Sequence, residues 1–226
     1  MSQKWLITLD GPAGVGKTTL AKRLARFLGV CYLDTGAMFR GVAYFLGQDK
    51  INWSEQDLAQ EIADYYFELK TDRDSFNLYL NGKLLGNEIR SEEVAHLASI
   101  FAIKGVVRNF LKKAQQDLAK RFSLVAEGRD MGTVVFPWAK PKFFLQARAE
   151  VRAERRYKQL LVQGKTNANF NLILEQMRQR DEQDLTRKLA PLRPAPDAII
   201  IDTSDLDQEQ VFELIKAQVL ELTPRN

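Results

Sequence analysis

The sequence predicts an α/β fold: a parallel sheet of five strands flanked by helices, with a small inserted α+β subdomain and a helical lid. Three observations predict it. A short apolar run at residues 4–10 passes directly into Gly11-Pro12-Ala13-Gly14-Val15-Gly16, after which apolar residues recur at helical spacing from 17 to 28. Short apolar runs then alternate with longer helical ones, the pattern that buries a parallel sheet between layers of helices. Midway the period switches to strict alternation in FELKT, FNLYL and KLLG, which reads as three antiparallel strands.

The elements follow in order. Residues 30–33 form a second strand, and Asp34-Thr35 caps a helix running to about 46. A helix rich in Asp and Glu fills 54–67. Asn81-Gly82, between two of the alternating strands, favours the positive-φ geometry of a two-residue hairpin turn. Residues 63–100 are assigned to the insert and 1–62 with 101–226 to the core. Helical spacing returns over 91–101 and 104–121, and LVA and KFFLQ supply two more core strands joined by EGRDMGTVVFPWAKP. A charged helix over 150–161, a tip at Gln163-Gly164-Lys165 and a second charged helix over 169–188 make the lid, centred on about 156–170. After the proline-bounded APLRPAPD come a last strand at 198–201 and a closing helix at 207–220.

Composition narrows the class. With 45% hydrophobic and 27% charged residues and little glycine or proline, disordered and fibrous chains are excluded. MSQKWLITLD lacks a basic flank followed by an apolar signal core, and no later run approaches the roughly 18 apolar residues of a membrane span. The expectation is a soluble, unexported, cytoplasmic monomer. Cys31 is the single cysteine and cannot close an intrachain disulfide; it is expected as a small buried thiol after the first helix. The net charge of +4 suits nucleic acid, an anionic surface or a polyanionic small ligand, and does not choose among them.

The glycine loop is more specific. Gly11-Pro12-Ala13-Gly14-Val15-Gly16-Lys17-Thr18 fits G-x-x-x-x-G-K-[ST] at every fixed position, between a predicted strand and a predicted helix. Phosphates need several donors converging without side chains in the way; the glycines admit backbone N–H groups, and the helix N-terminus adds positive potential. Lys17 is placed to reach the β and γ oxygens, Thr18 to coordinate Mg²⁺, and Thr19 to support the end of the loop. The core is therefore expected to be a P-loop NTPase core binding ATP.

Further motifs resemble the bacterial-type cytidylate kinase family: Asp34-Thr35-Gly36-Ala37-Met38-Phe39-Arg40 after the second strand, Gly128-Arg129-Asp130-Met131-Gly132-Thr133-Val134-Val135-Phe136-Pro137 after the third, and Arg180-Asp181-x-x-Asp184-x-x-Arg187 with Ala190-Pro191-Leu192 late in the chain. Together they cover nearly the whole length. The resemblance implies transfer of the γ-phosphate of ATP to CMP or dCMP, with Mg²⁺ accompanying ATP. It makes 63–100 a nucleoside-monophosphate-binding insert; no nucleic-acid partner is expected, since no aromatic-interleaved basic stretch appears, and no membrane partner, since no apolar run is long enough to span one. It also places Thr35 at the acceptor, gives the ribose to Asp184 with Arg180, and gives cytosine to Ser99, Arg108 and Asp130.

Chemistry is consistent with these roles. Arg40, Arg129 and Arg180 offer planar forks suited to bidentate contact with a phosphate. Residues 180, 184 and 187 recur at i, i+4 and i+7, so Arg180, Asp184 and Arg187 are expected on one helix face. An Asp accepts from cytosine N4, where uracil would present another acceptor. Arg152, Arg155 and Arg156 recur before the lid tip, with Arg155 or Arg156 expected to reach the transferring phosphoryl group beside Lys17. No general base is required, because an acceptor phosphate with a second pKa of about 6 is already ionised. His96, the only histidine, is expected to be partly buried and structural.

Two departures from the family pattern stand out: Glu127 where an Asp commonly precedes Gly-Arg-Asp, and Phe39 where Tyr is frequent before Arg40. Glu127 keeps the carboxylate and could serve Mg²⁺ hydration or hold a clamp arginine. Phe39 lacks a hydroxyl that could order a neighbour. Two rival readings stay open, a P-loop kinase for uridylate, adenylate or shikimate, and a nucleotide-gated nucleic-acid-binding protein.

Overall fold

The computed structural model describes residues 4–71 and 75–222; of the ranges assigned above, 1–3, 72–74 and 223–226 lie outside the described residues. In chain order the first half holds β1 (Leu6–Asp10), α1 (Lys17–Leu28), β2 (Cys31–Asp34), α2 (Thr35–Leu46), α3 (Glu55–Glu61), β3 (Phe67–Thr71), β4 (Phe76–Leu80) and β5 (Lys83–Leu84). A 3₁₀ turn (Asn87–Arg90) leads to α4 (Glu92–Phe101), α5 (Gly105–Arg121) and β6 (Leu124–Gly128). A π turn (Met131–Val135) follows, then β7 (Lys142–Gln146), α6 (Ala149–Val162), α7 (Phe170–Thr186), β8 (Ile199–Asp202) and α8 (Gln208–Glu221).

The expected five-stranded parallel sheet is present, in the order β2-β6-β1-β7-β8, and β3-β4-β5 form the separate small antiparallel sheet. β1 is the middle strand, with Leu9 opposite Phe143 of β7 and Phe144 opposite Ile200 of β8. Burial on both faces explains the continuous apolar runs: Ile7, Leu9, Leu124, Val125, Phe143 and Leu145 are all closed to solvent. Asn81 and Gly82 take φ of 50° and 75°, as a two-residue hairpin turn with φ > 0 at both central positions requires.

The chain divides into two compact units, one of Met1–Trp5 and Ala25–Ala126, the other of Leu6–Leu24 and Glu127–Asn226. In the first, α2 buries Ala37, Met38, Val42 and Leu46, and α4 buries Val94, Leu97 and Phe101; the two helices pack together. Asp34 caps α2, its side chain accepting from Ala37 N at 2.8 Å, as the sequence predicted. In the second, α6 and α7 form a hairpin around Ala153, Ile173 and Met177, with Tyr157 edge-on to Phe170. α8 begins at a capping box made by Asp207 and Gln210.

Three expectations need correction. The helix expected over 54–67 stops at Glu61: after the buried Leu58 and Ile62, Tyr65 turns its ring edge-on to Phe45 and Phe110, and these tertiary contacts override the helical period. Cys31 opens β2 half-exposed instead of lying buried, its thiol 4.0 Å from the Thr71 hydroxyl. His96 is exposed, because it falls off the α4 stripe of Val94, Leu97 and Phe101. Among the described residues, no single helix is long and apolar enough to cross a membrane.

One buried polar group stands out in α5. Gln115 lies on the stripe of Val107, Leu111 and Leu118 and is 1% exposed, yet neither of its amide atoms has a partner among the described residues. Replacing a buried, unpaired amide by an apolar side chain of similar volume removes its desolvation cost. Gln115→Met is therefore expected to raise unfolding free energy by about 1 kcal/mol in urea melts, with an unchanged denaturant slope.

Candidate active site

β1 delivers the glycine loop from the middle of the sheet. Its last residue, Asp10, is 4% exposed and accepts from Met131 N at 2.9 Å and Gly132 N at 2.7 Å. A Cβ on Gly132 would lie 3.1 Å from Thr8 Oγ1 and 3.4 Å from Asp10 Oδ2, so glycine is what lets this backbone approach the carboxylate. Here the segment joining the two strands makes a π turn, to which the sequence alone assigned no conformation: Val134 and Val135 N both donate to Asp130 O, and Phe136 N to Met131 O. At the other side of Asp10, Gly11 has φ of 147° and a Cβ there would fall 2.2 Å from Leu145 O.

Burial pushes the Asp10 carboxyl up to about 6, against the two N–H donors that favour its anion. Lys17 is 6% exposed and donates to Pro12 O at 2.6 Å. Burial first, then the nearby Arg129 guanidinium, bring the lysine down to about 7; Glu127, Asp10 and Asp184 act the other way. Thr18 and Thr19 present their side chains to solvent at the start of α1. Glu127 and Asp130 are buried.

β6 ends in Gly128, and the next residue, Arg129, donates from Nε to Asp184 Oδ2 at 2.9 Å. Arg187 lies 3.5 Å from Asp184 and 3.8 Å from Asp130. Arg187 is the cap beyond α7 and not part of the helix; its Nε donates to Ala190 O at 2.7 Å, where the chain reverses through the positive φ of Ala190. The structure thus brings together Lys17, Arg129, Asp130, Asp184 and Arg187. Arg180 is exposed on α7, apart from the half-buried Asp184 in solvent access.

Of the three arginines on α6, it is Arg152 that reaches the glycine loop. It is 4% exposed, donates to Ala13 O at 3.1 Å and Ala147 O at 2.9 Å, and forks onto Asp181 at 3.1 and 2.6 Å. Arg155 instead donates to Thr203 Oγ1, Thr203 O and Leu206 O, and Arg156 to Gln159. Sequence reasoning quoted Asp181 but gave it no role. Its spacing of three from Asp184 on one helix face was the available signal.

In the other unit, Thr35 is buried in the first turn of α2, and Arg40 lies 3.5 Å from Asp34. Arg108 of α5 sits 5.5 Å over the Phe39 ring and donates to Ala102 O; Ser99 of α4 donates to Ala95 O. Among the described residues, no group of three or more His, Cys, Asp or Glu could hold a metal.

A five-stranded parallel sheet whose central strand runs into G-x-x-x-x-G-K-T, backed by buried charge around the lysine, defines a P-loop nucleotide-binding protein of the kinase class. A crystal structure of an uncharacterized protein from Eubacterium ventriosum covers 97% of this chain and 100% of its own at a TM-score of 0.50 and 11% identity, a likeness of fold alone. The family model described as Cytidylate kinase matches residues 7–221, and the chain belongs to that family. A curated cytidylate kinase from Oleidesulfovibrio alaskensis is 51% identical over 219 residues, 97% of this chain and 100% of that protein. One from Nitratidesulfovibrio vulgaris is 53% identical over 214 residues, 95% and 92% of the two chains, and one from Thermosipho melanesiensis 46% over 215 residues, 95% and 96%.

Asp10 provides a pH test. The folded protein keeps this proton up to about pH 6, whereas the unfolded chain releases it near 3.8. The stability it contributes is full below 3.8 and lost as pH rises through 6. Relative to Asp10→Asn, which cannot titrate, the wild type is expected to lose on the order of 2 kcal/mol between about pH 4 and pH 7, read from denaturant melts across that range.

Proposed function

We propose that this chain is a cytidylate kinase that transfers the γ-phosphate of ATP to CMP or dCMP. The observation that carries the proposal is the set of buried Lys17, Glu127 and Asp130 with half-buried Arg129, Asp184 and Arg187 beside a complete phosphate-binding loop, in a chain of this family. The loop of residues 11–19 binds the ATP phosphates through the backbone N–H groups of its residues other than Pro12, and Lys17 offsets the charge that develops on the β and γ oxygens. A dry lysine does this better than a hydrated one, since its field is not screened.

Thr18 fits Mg²⁺ as a hard oxygen donor exposed at the loop, in the manner of a cation that takes one or two protein oxygens and keeps its remaining contacts with phosphate and water. When bound, the ion neutralises phosphate charge.

Arg40, Arg129 and Arg180 take the acceptor phosphate, Asp184 with Arg180 the ribose, and Ser99, Arg108 and Asp130 the cytosine, with Thr35 and Arg187 supporting them. Residues 63–100 act as the nucleoside-monophosphate-binding insert and about 156–170 as the lid. Arg152 joins Arg155 and Arg156 as the lid's guanidiniums, its fork on Asp181 and its bond to Ala13 O keeping it at the loop. The acceptor attacks as an anion, and catalysis is positioning and charge stabilisation. A cytoplasmic monomer needing neither nucleic acid nor membrane suits a small-molecule kinase.

A coupled assay of ADP formation across CMP, dCMP, UMP and AMP tests the proposal: CMP and dCMP are expected to lead, and a protein turning over AMP or UMP faster overturns it. Lys17→Met should lower kcat by about a hundredfold or more with the fold intact by circular dichroism. Asp130→Ala should narrow the CMP over UMP ratio of kcat/KM by about tenfold or more while leaving KM for ATP near the wild-type value; an equal loss for both acceptors counts against cytosine readout by this carboxylate.

A further inference from the structure

We infer that Arg90 is a second arginine for the acceptor phosphate, stationed beside Arg40 by the one carboxylate of Asp34; this rests on the reading of Arg40 given above. Arg90 closes the 3₁₀ turn before α4, while Arg40 projects from α2. Their Nη2 atoms lie 3.9 Å and 3.5 Å from the same oxygen, Asp34 Oδ2. Charge-assisted hydrogen bonds run at about 2.7–2.9 Å, so neither guanidinium has committed its N–H groups to this carboxylate. The other Asp34 oxygen is already taken by the N–H of Ala37 at 2.8 Å.

Charge counting points to an anion. Among the described residues, Asp34 is the only carboxylate within ion-pair reach of either arginine, and the buried Nε of Arg40 has no hydrogen-bond partner there. Two cations therefore share one anion, and the pair stays a charge short with several donors unspent. A phosphate monoester dianion supplies that charge and more than one oxygen for planar forks to grip. Stability does not account for Arg90: its side chain is 50% exposed, and an exposed ion pair at 3.9 Å contributes little. Gly36 fits the same picture, since a Cβ there would sit 3.2 Å from Asp34 Oδ1 and 3.6 Å from Arg40 Nη1, crowding the space beside the fork.

The test uses the purified full chain with Arg90→Ala and Arg90→Lys, measuring kcat, KM for CMP, KM for ATP, the melting temperature, and the affinity for CMP against cytidine. Arg90→Ala is expected to raise KM for CMP by about ten- to hundredfold, the equivalent of one lost hydrogen bond to a charged group, with melting temperature and KM for ATP unchanged. Arg90→Lys should recover part of the loss. The affinity lost for CMP should be absent for cytidine, which has no phosphate. A KM for CMP within about twofold of wild type, or an equal loss for cytidine, overturns the assignment. Should Arg90→Ala fail to fold, Arg90→Lys and Arg90→Gln carry the same comparison. A wild-type protein inactive on CMP sinks the reading of the acceptor itself, whereas an active wild type with an indifferent Arg90→Ala sinks only this inference.

Discussion

The ammonium of Lys17 is held almost out of water, and the charges around the glycine loop are arranged about that fact. Burying it alone would drive off its proton; the carboxylates of Asp10, Glu127 and Asp184 work against that loss, while Arg129 promotes it. Arg129 is in turn tied to Asp184, and Asp184 and Asp130 are faced by Arg187. Removing one member of such a set leaves another buried and uncompensated, which costs far more than an exposed pair contributes. The surrounding backbone is constrained to match. Asp10 keeps both carboxyl oxygens partnered inside the protein because two N–H groups at the π turn cap them, and the backbone can come this near because residue 132 has no side chain.

A second buried fork ties the helical hairpin to the same loop. Arg152 forks its two Nη atoms onto Asp181, and the same Nη1 also donates to Ala13 O. Within the hairpin, Ala153, Ile173 and Met177 exclude water together with Tyr157, Phe170 and Leu174. The hairpin is thus coherent by apolar burial, while its link to the loop is polar and local. The lid role proposed for it needs that division, a body that keeps its shape and a small contact that can be exchanged for a ligand's oxygens.

Much of this was legible in the residues. The glycine loop, the Asn81-Gly82 turn, the Asp34 cap and the run of fully apolar strands each follow from short-range rules, and each appears where the spacing put it. What escaped depends on long-range packing. Nothing local in 54–67 says that Tyr65 will leave the helix for the rings of Phe45 and Phe110. Arg152, Arg155 and Arg156 lie within a little over one helical turn, so spacing alone cannot say which faces the loop; Met177, packed beside Ala153, settles the facing. The π turn stayed hidden because its determinant, Asp10, is more than a hundred residues away in sequence.

The two departures from the family pattern have a common physical reading. Phe39 presents its ring to the guanidinium of Arg108, 5.5 Å away, and a cation over an aromatic face uses the ring's quadrupole, which phenylalanine retains without a hydroxyl. Glu127 acts on Lys17 through its charge, opposing the loss of the lysine's proton; a longer side chain preserves that charge where the surrounding burial lets the carboxylate stay beside it. In each case the interaction depends on a property the substitution keeps, the π face or the negative charge, and not on the atom it changes. Positions that work through a ring face or a charge tolerate such exchanges, whereas the N–H donors on Asp10 and the fork of Arg152 on Asp181 depend on atoms at fixed distances and do not.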